Sequence, residues 1–416
     1  MGKYVINGGK KLSGTITVDS AKNSVMPMIA GSLLTDEPVV IKKCPKILDV
    51  YSMINILKSL GAVVFFYEND LVIMPKSTKL YKTEKDQAKT LRSSIFLMGT
   101  LISRFKKAEI SLPGGCDIGE RPIDIHLELL RKMGCIIEET EDSIICTATK
   151  LKCCEYRLPF ASVGATENAI LVAVKLNGTT ILHNVAREPE IVDLVCFLRS
   201  MGAKIAGEGT KTIRIEGVKK LHGTEYCPIG DRIEAGTFLT AVAVSGGELE
   251  IKGLNAENIS SLIHKLCENS CKITIKNDII YIKSGICRKP FSLVTGPYPL
   301  FATDLQAQAM TLACLSDGQS VIRENVFENR FRHVDELRKL GANIKIYGRA
   351  SVVTGVKEFV PAKLYAKDLR GGASLVLGAL NAKGQSTVYD VCHIERGYAE
   401  FDAKLRSIGA DVTKIT

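Results

Sequence analysis

Leu57-Lys58-Ser59-Leu60-Gly61-Ala62 decides the fold, because the chain repeats it. It returns as Leu130-Arg131-Lys132-Met133-Gly134-Cys135, Leu198-Arg199-Ser200-Met201-Gly202-Ala203, Leu337-Arg338-Lys339-Leu340-Gly341-Ala342 and Leu405-Arg406-Ser407-Ile408-Gly409-Ala410. A degraded copy, Leu266-Cys267-Glu268-Asn269-Ser270-Cys271, fills the one gap, with Ser270 in glycine's place. The glycine positions are then 73, 68, 68, 71 and 68 residues apart. Each copy reads as the basic last turn of a helix, a left-handed cap and the start of a strand.

Upstream of these copies lie glycine turns opening β-rich runs, such as Gly178-Thr179-Thr180-Ile181-Leu182-His183 and Gly384-Gln385-Ser386-Thr387-Val388-Tyr389. Apolar helical runs at 169–174, 239–244 and 375–380 precede them. A unit of about 70 residues therefore reads strand, helix, strand, helix, strand, strand. That period exceeds the solenoid repeats, so each unit is a small α/β subdomain sharing a core with its neighbours. Six units divide into two domains of three. Domain one spans 22–229; domain two takes 1–21 and 230–416, with the leading strand at 11–18 completing it. The chain then crosses between domains near 19–23 and 230–234, and a cleft between domains is a favoured place for a ligand.

Hydrophobic residues at 46% and charged residues at 24% of 416 suit a soluble globular protein. No uncharged apolar run reaches the ~18 residues of a membrane span, and the N-terminus lacks a signal-peptide core, so a cytoplasmic location is expected. The net charge of +10 suits an anionic partner. A phosphorylated small molecule fits better than nucleic acid, because there is no basic block and no Trp for base stacking. Thirteen cysteines without a Cys-x-x-Cys pair, and six histidines without ligand spacing, predict neither disulfide nor metal. No obligate protein partner is evident.

One stretch departs from the repeat: Leu112-Pro113-Gly114-Gly115-Cys116-Asp117-Ile118-Gly119-Glu120-Arg121-Pro122-Ile123-Asp124. Its Pro and Gly content predicts a loop with exposed backbone N–H groups. Within it Cys116 lies near Arg121 and ahead of a helix that Pro122 opens, a setting that acidifies a thiol. The glycine-rich cysteine insertion belongs to the second unit alone, consistent with the 73-residue spacing there.

Other polar residues recur at helix starts. Lys22 and Asn23 open the first helix, with Asp19 or Ser20 as its expected cap; a cation there opposes the helix dipole, which an anion held at the site would explain. Arg92 and Arg370 open corresponding helices of different units. Ser162, Val163 and Gly164 open a third, suited to a diphosphate or sugar. Asp304 reads as an N-cap by default, or as a carboxylate poised to take a proton. Arg330 and Arg396 stand at the entries to the final helices of the last two units.

Together the cysteine loop with Arg121-Pro122-Ile123-Asp124, Ala21-Lys22-Asn23, Ser162-Val163-Gly164-Ala165-Thr166, Asp231-Arg232-Ile233-Glu234 and Ile394-Glu395-Arg396-Gly397-Tyr398 resemble the enolpyruvyl transferases over the whole chain. The resemblance implies two domains of three βαβαββ units in pseudo-threefold symmetry, an inside-out α/β barrel, with the active site in the interdomain cleft. It implies transfer of the enolpyruvyl group of phosphoenolpyruvate to the 3′-hydroxyl of UDP-N-acetylglucosamine, with release of phosphate through a tetrahedral ketal and no cofactor. Cys116 matches the family's proton donor, which implies alkylation by fosfomycin, and Asp304 matches the base. Lys22, Asn23, Arg121, Arg330, Arg370 and Arg396 match phosphoenolpyruvate contacts. Asn23, Arg92, Arg121, Pro122, Ile123, Asp124, Ile125, Ser162, Val163, Gly164, Asp304 and Val326 match sugar-nucleotide contacts. Phe160 stands where some members carry a lysine that reaches the nucleotide. Transfer to shikimate 3-phosphate and a catalytically silent sugar-nucleotide binder are the competing readings. The cysteine loop and the Arg-Pro-x-Asp extension argue against the first, and the retained catalytic set argues against the second.

Overall fold

The computed structural model describes residues 2–83, 92–111, 123–284 and 288–416. The described residues divide into two compact units, one within residues 20–111 and 123–229 and the other within 2–19 and 230–416. The cysteine loop at 112–122 lies outside the described residues.

In the unit of residues 20–229, three sheets repeat one plan. Glu155–Arg157 pairs parallel with Thr179–His183, which pairs antiparallel with Thr212–Glu216, and Lys204–Ala206 forms the far edge. In the first repeat the parallel edge comes from the far end of the segment: Thr224–Tyr226 lies along Val39–Ile41, followed by Asp70–Met74 and Val63–Tyr67. The second repeat has Lys107–Ser111, Ser143–Thr147 and Ile136–Glu139, and a single parallel bridge from Lys82 to Glu109 marks the missing edge.

The other unit follows the same plan. Leu12–Thr17 runs parallel to Gly247–Lys252, with Ile279–Lys283 and Lys272–Lys276 beyond. Leu293–Val294, Gln319–Arg323, Ala350–Thr354 and Asn343–Tyr347 form the second sheet. The third differs from the expected pattern: its inner hairpin position is filled by the N-terminal strand Lys3–Gly8, between Gly384–Tyr389 and Asp411–Ile415. The last repeat supplies only one strand after its final helix, so the start of the chain completes it.

Two kinds of helix alternate with the strands. The first of each repeat is apolar all round and forms the core, as that pattern requires. Arg232–Ser245, Gln306–Ala313 and Leu369–Asn381 pack on one another, and nearly every residue in them is buried. The strands around them alternate, for example exposed and buried in turn along Gln319–Arg323, so each sheet buries one face. The second helices, such as Leu48–Ser59 and Pro189–Ser200, carry the repeated cap. Gly61, Gly134, Gly202, Gly341 and Gly409 all have φ between 94° and 97°, and Ser270 takes φ 76°. The cap closes with Gly61 N–H on Lys58 O and Ala62 N–H on Leu57 O; Ser270 and Cys271 repeat it on Cys267 and Leu266.

In the unit of residues 20–229, Asn168 ties the repeats together. Its amide donates to Ile95 O (3.0 Å) and to His126 Nδ1 (2.9 Å), and its Oδ1 accepts from Gly99 N–H (2.9 Å). In the other unit the hydroxyls of Tyr398 and Thr237 lie 2.8 Å apart, with Gln308 Nε2 donating to both. Each network is fully buried, where an unmade bond is costly.

Candidate functional site

In the unit of residues 2–19 and 230–416, the chain turns at 303–305 into a short 3-10 turn ahead of the helix Gln306–Ala313. Asp304 sits in that turn, but it is not the cap: the N-cap is Ala302, with no side-chain bond. Two guanidiniums claim its carboxylate instead. Arg330 Nη2 donates to Oδ1 at 2.8 Å, and Arg370 Nη2 donates to Oδ2 at 3.3 Å. Asp304 is part-exposed at 29% of its side chain, while Arg330 and Arg370 are 4% and 3% exposed. A half-open carboxylate between two buried cations can accept a proton, and the cations can hold an anion beside it.

Each arginine has a distinct seat. Arg330 also donates through Nε and Nη2 to Thr303 O (3.3 and 3.2 Å), and its guanidinium lies 5.9 Å from the Phe327 ring centre. Arg370 is the second residue of Leu369–Asn381, whose N-cap Asp368 accepts from the backbone N–H groups of Arg370 and Gly371 (3.0 and 2.8 Å). Its guanidinium carbon lies 5.3 Å from the Tyr398 ring centre, and Nη1 is buried with no hydrogen-bond partner among the described residues. A buried donor left unmade is expensive and is a natural anchor for an incoming oxygen. His333, fully buried, approaches Arg330 O at 3.2 Å; burial, with Arg330 adding to it, lowers its pKa to about 4.

Arg396 follows the short helix Cys392–Glu395 and is half-buried. The adjacent Glu395 pairs with Lys414. Val326 lies in the turn between Gln319–Arg323 and Val334–Lys339; its backbone N–H donates to Glu324 Oε1 at 2.8 Å.

The remaining described candidates belong to the unit of residues 20–229. Lys22 is the first residue of Lys22–Gly31, whose N-cap is Ala21 with no side-chain bond, so neither Asp19 nor Ser20 caps it. Asp19 is engaged elsewhere: Lys404 Nζ reaches its Oδ2 at 2.8 Å, and its N–H donates to Glu234 Oε2 at 2.7 Å. Lys22 Nζ lies 2.5 Å from Asp49 Oδ2, and both residues are buried. Asn23 is half-buried in the same first turn. Ser162 caps Val163–Ala173, its hydroxyl accepting from Ala165 N–H at 3.3 Å, and Val163 and Gly164 follow in the first turn. A Cβ on Gly164 would stand 3.1 Å from the His126 ring, so a side chain there needs the ring to give by a few tenths of an ångström. Ile123 precedes Asp124–Lys132, with Asp124 exposed at its start and Ile125 half-buried. Arg92 opens the 3-10 turn Arg92–Ile95; its side chain, like Cys116, Arg121 and Pro122, lies outside the described residues.

Local sequence does not mark Asp49, Thr303, Glu324 or His333 as site residues. Asp49 reads as an ordinary acidic first turn. Glu324 carried a signal: the alternation through Ser320 and Ile322 puts residue 324 at a core position, where a carboxylate must find partners.

Six repeats in two units define an enolpyruvyl-transferase fold. The enolpyruvyl transferase NikO from Streptomyces tendae superposes with a TM-score of 0.90 at 24% identity, over 100% of this chain and 99% of that one. EPSP synthase from Acinetobacter baumannii superposes with a TM-score of 0.77 at 17% identity, over the whole of both chains. The chain belongs to the EPSP synthase (3-phosphoshikimate 1-carboxyvinyltransferase) family, whose model matches residues 6–405. Among its curated relatives, UDP-N-acetylglucosamine 1-carboxyvinyltransferase 2 of Caldanaerobacter subterraneus subsp. tengcongensis is 47% identical over 100% of both chains. UDP-N-acetylglucosamine 1-carboxyvinyltransferase 1 of Clostridium perfringens is 44% identical, again over 100% of both.

Proposed function

We propose that this chain transfers the enolpyruvyl group of phosphoenolpyruvate to the 3′-hydroxyl of UDP-N-acetylglucosamine and releases phosphate, a step of peptidoglycan synthesis. Full-length identity of 47% to a relative named for that reaction supports the substrate pair. The observation that carries the chemistry is the Asp304 carboxylate held between Arg330 and Arg370.

Phosphoenolpyruvate brings a phosphate and a carboxylate close to its reacting carbon, so several fixed cations must surround it. Lys22, Arg121 and Arg396, with Asn23, hold the phosphate; Arg370 and Arg330 take the carboxylate region. Lys22 exchanges Asp49 for that phosphate, and the unpaired Nη1 of Arg370 gains an oxygen. Cys116 delivers a proton to C3, which makes C2 electrophilic. Asp304 takes the proton of the sugar hydroxyl as its oxygen bonds to C2, forming a tetrahedral ketal. Loss of a proton from C3 and of phosphate from C2 then restores the double bond. Arg92, Ile123, Asp124, Ile125, Ser162, Val163, Gly164 and Val326 contact the sugar nucleotide, while Arg121 and Pro122 flank uracil.

No helix among the described residues is long and apolar enough to cross a membrane. The proposed enzyme is cytoplasmic and acts on small molecules. Calorimetry of the pure chain with UDP-N-acetylglucosamine tests the sugar-nucleotide assignment. Micromolar binding that strengthens with phosphoenolpyruvate analogues is expected, and no heat at millimolar ligand contradicts it.

A further inference from the structure

The strand Gln319–Arg323 delivers Glu324, 1% exposed, to a position where every other residue is apolar or small. Its carboxylate is shared out in full view of the Asp304 turn. Oε1 accepts from the backbone N–H of Val326 (2.8 Å) and of Phe327 (3.1 Å). Oε2 accepts from the Thr303 hydroxyl at 3.0 Å. Thr303 is thus gripped twice, its hydroxyl by Glu324 and its carbonyl by Arg330.

Surrounding bonds fix the backbone that carries the carboxylate. Glu324 N–H donates to Arg349 O (2.8 Å), and Asn325 N–H donates to the Thr295 hydroxyl (3.0 Å). Arg349 reaches back to Asn325 O at 3.1 Å. A buried carboxylate with three donors has little freedom, because losing any one leaves charge or donor unsatisfied.

We propose that Glu324 and Thr303 are positioning residues, through which one buried carboxylate sets both the 326–327 turn and the carboxylate of Asp304 against the two arginines. The proposal rests on the reading of Asp304 as the base and Val326 as a sugar-nucleotide contact. Both residues act here through their protein partners: Glu324 through Thr303, Val326 and Phe327, and Thr303 through Glu324 and Arg330. A proton acceptor displaced by about 1 Å costs on the order of 100-fold in rate, so a link of this kind shows in turnover before it shows in binding.

The test uses the full chain and separates the hydroxyl from the bulk of residue 303. Thr303→Val keeps shape and loses the donor; Thr303→Ser keeps the donor and loses the methyl. Phosphate release from phosphoenolpyruvate with UDP-N-acetylglucosamine gives kcat and both KM values, and scanning fluorimetry gives Tm. Thr303→Val is expected to lower kcat about 10- to 100-fold with both KM values nearly unchanged, and Thr303→Ser to recover most of it. Glu324→Gln, which keeps an acceptor for the two N–H groups, is expected to lower kcat and to raise KM for the sugar nucleotide less than Glu324→Ala does. Wild-type turnover matched by Thr303→Val overturns the proposal, as does a kcat that falls equally in Thr303→Ser and Thr303→Val in step with Tm. A wild-type chain that releases no phosphate fails the functional reading itself and takes this inference with it.

Discussion

Arg330→Lys keeps the charge and removes the fork. In the native site, three donor contacts leave this one guanidinium: two to Thr303 O and one to Asp304 Oδ1. An ammonium reaches one acceptor at this depth, and the 4% exposure of the side chain leaves little water to serve the other. Losing charge-assisted bonds to Thr303 O costs about 1.5–3 kcal/mol. At roughly 2–4 °C per kcal/mol for a unit of this size, Tm falls by about 3–12 °C. The same loss frees the Asp304 turn, and about 1.4–2.7 kcal/mol of transition-state stabilisation corresponds to a 10- to 100-fold lower kcat. Scanning fluorimetry and a coupled phosphate assay on the same preparation read both. A variant with Tm within 1 °C and kcat within twofold of wild type would refute the claim that the fork, beyond its charge, orders Asp304.

Two buried groups give opposite pH slopes. His333 is lowered from 6.5 to about 4, chiefly by burial, so between those values the unfolded chain binds a proton that the folded chain does not. Stability from this group therefore falls as pH drops below 6.5, by on the order of 3 kcal/mol at pH 4, and urea midpoints of His333→Gln should lack that slope. Glu234 is raised from 4.5 to about 7 by burial, against the pull of Lys404, so its contribution is full below 4.5 and is lost as pH rises to 7. Glu234→Gln should flatten that limb, and an unchanged profile in either variant contradicts the assignment. Ser270→Gly should stabilise, because Ser270 holds φ 76° where the five other repeats have glycine. The strain relieved exceeds the added chain entropy by about 0.5–1 kcal/mol, read as a higher urea midpoint; a lower one refutes the cap's role.

How much was legible depends on which force places a residue. The cap motif is local, so its spacing alone shows six units and even Ser270 as a glycine substitute. Leu12–Thr17 reads as a unit's terminal strand from its own residues, and it pairs with Gly247–Lys252. The place of Lys3–Gly8 inside the last sheet was not legible, because it depends on a partner almost four hundred residues away. Polar partners behaved likewise. Lys22 at a helix start announced an anion, but nothing in the segment around Asp49 distinguishes that carboxylate from a solvated one. Asp304 looked like a cap because its sequence neighbours permit one; Arg330 and Arg370, 26 and 66 residues on, decide otherwise.

The central claim is the acceptor and the thiol, and phosphate release tests both at once. Wild type and Cys116→Ser are each given phosphoenolpyruvate with either UDP-N-acetylglucosamine or shikimate 3-phosphate. The expected result is release by wild type with the sugar nucleotide alone, and a large loss of it in Cys116→Ser. Release with shikimate 3-phosphate, or none with the sugar nucleotide, contradicts the account.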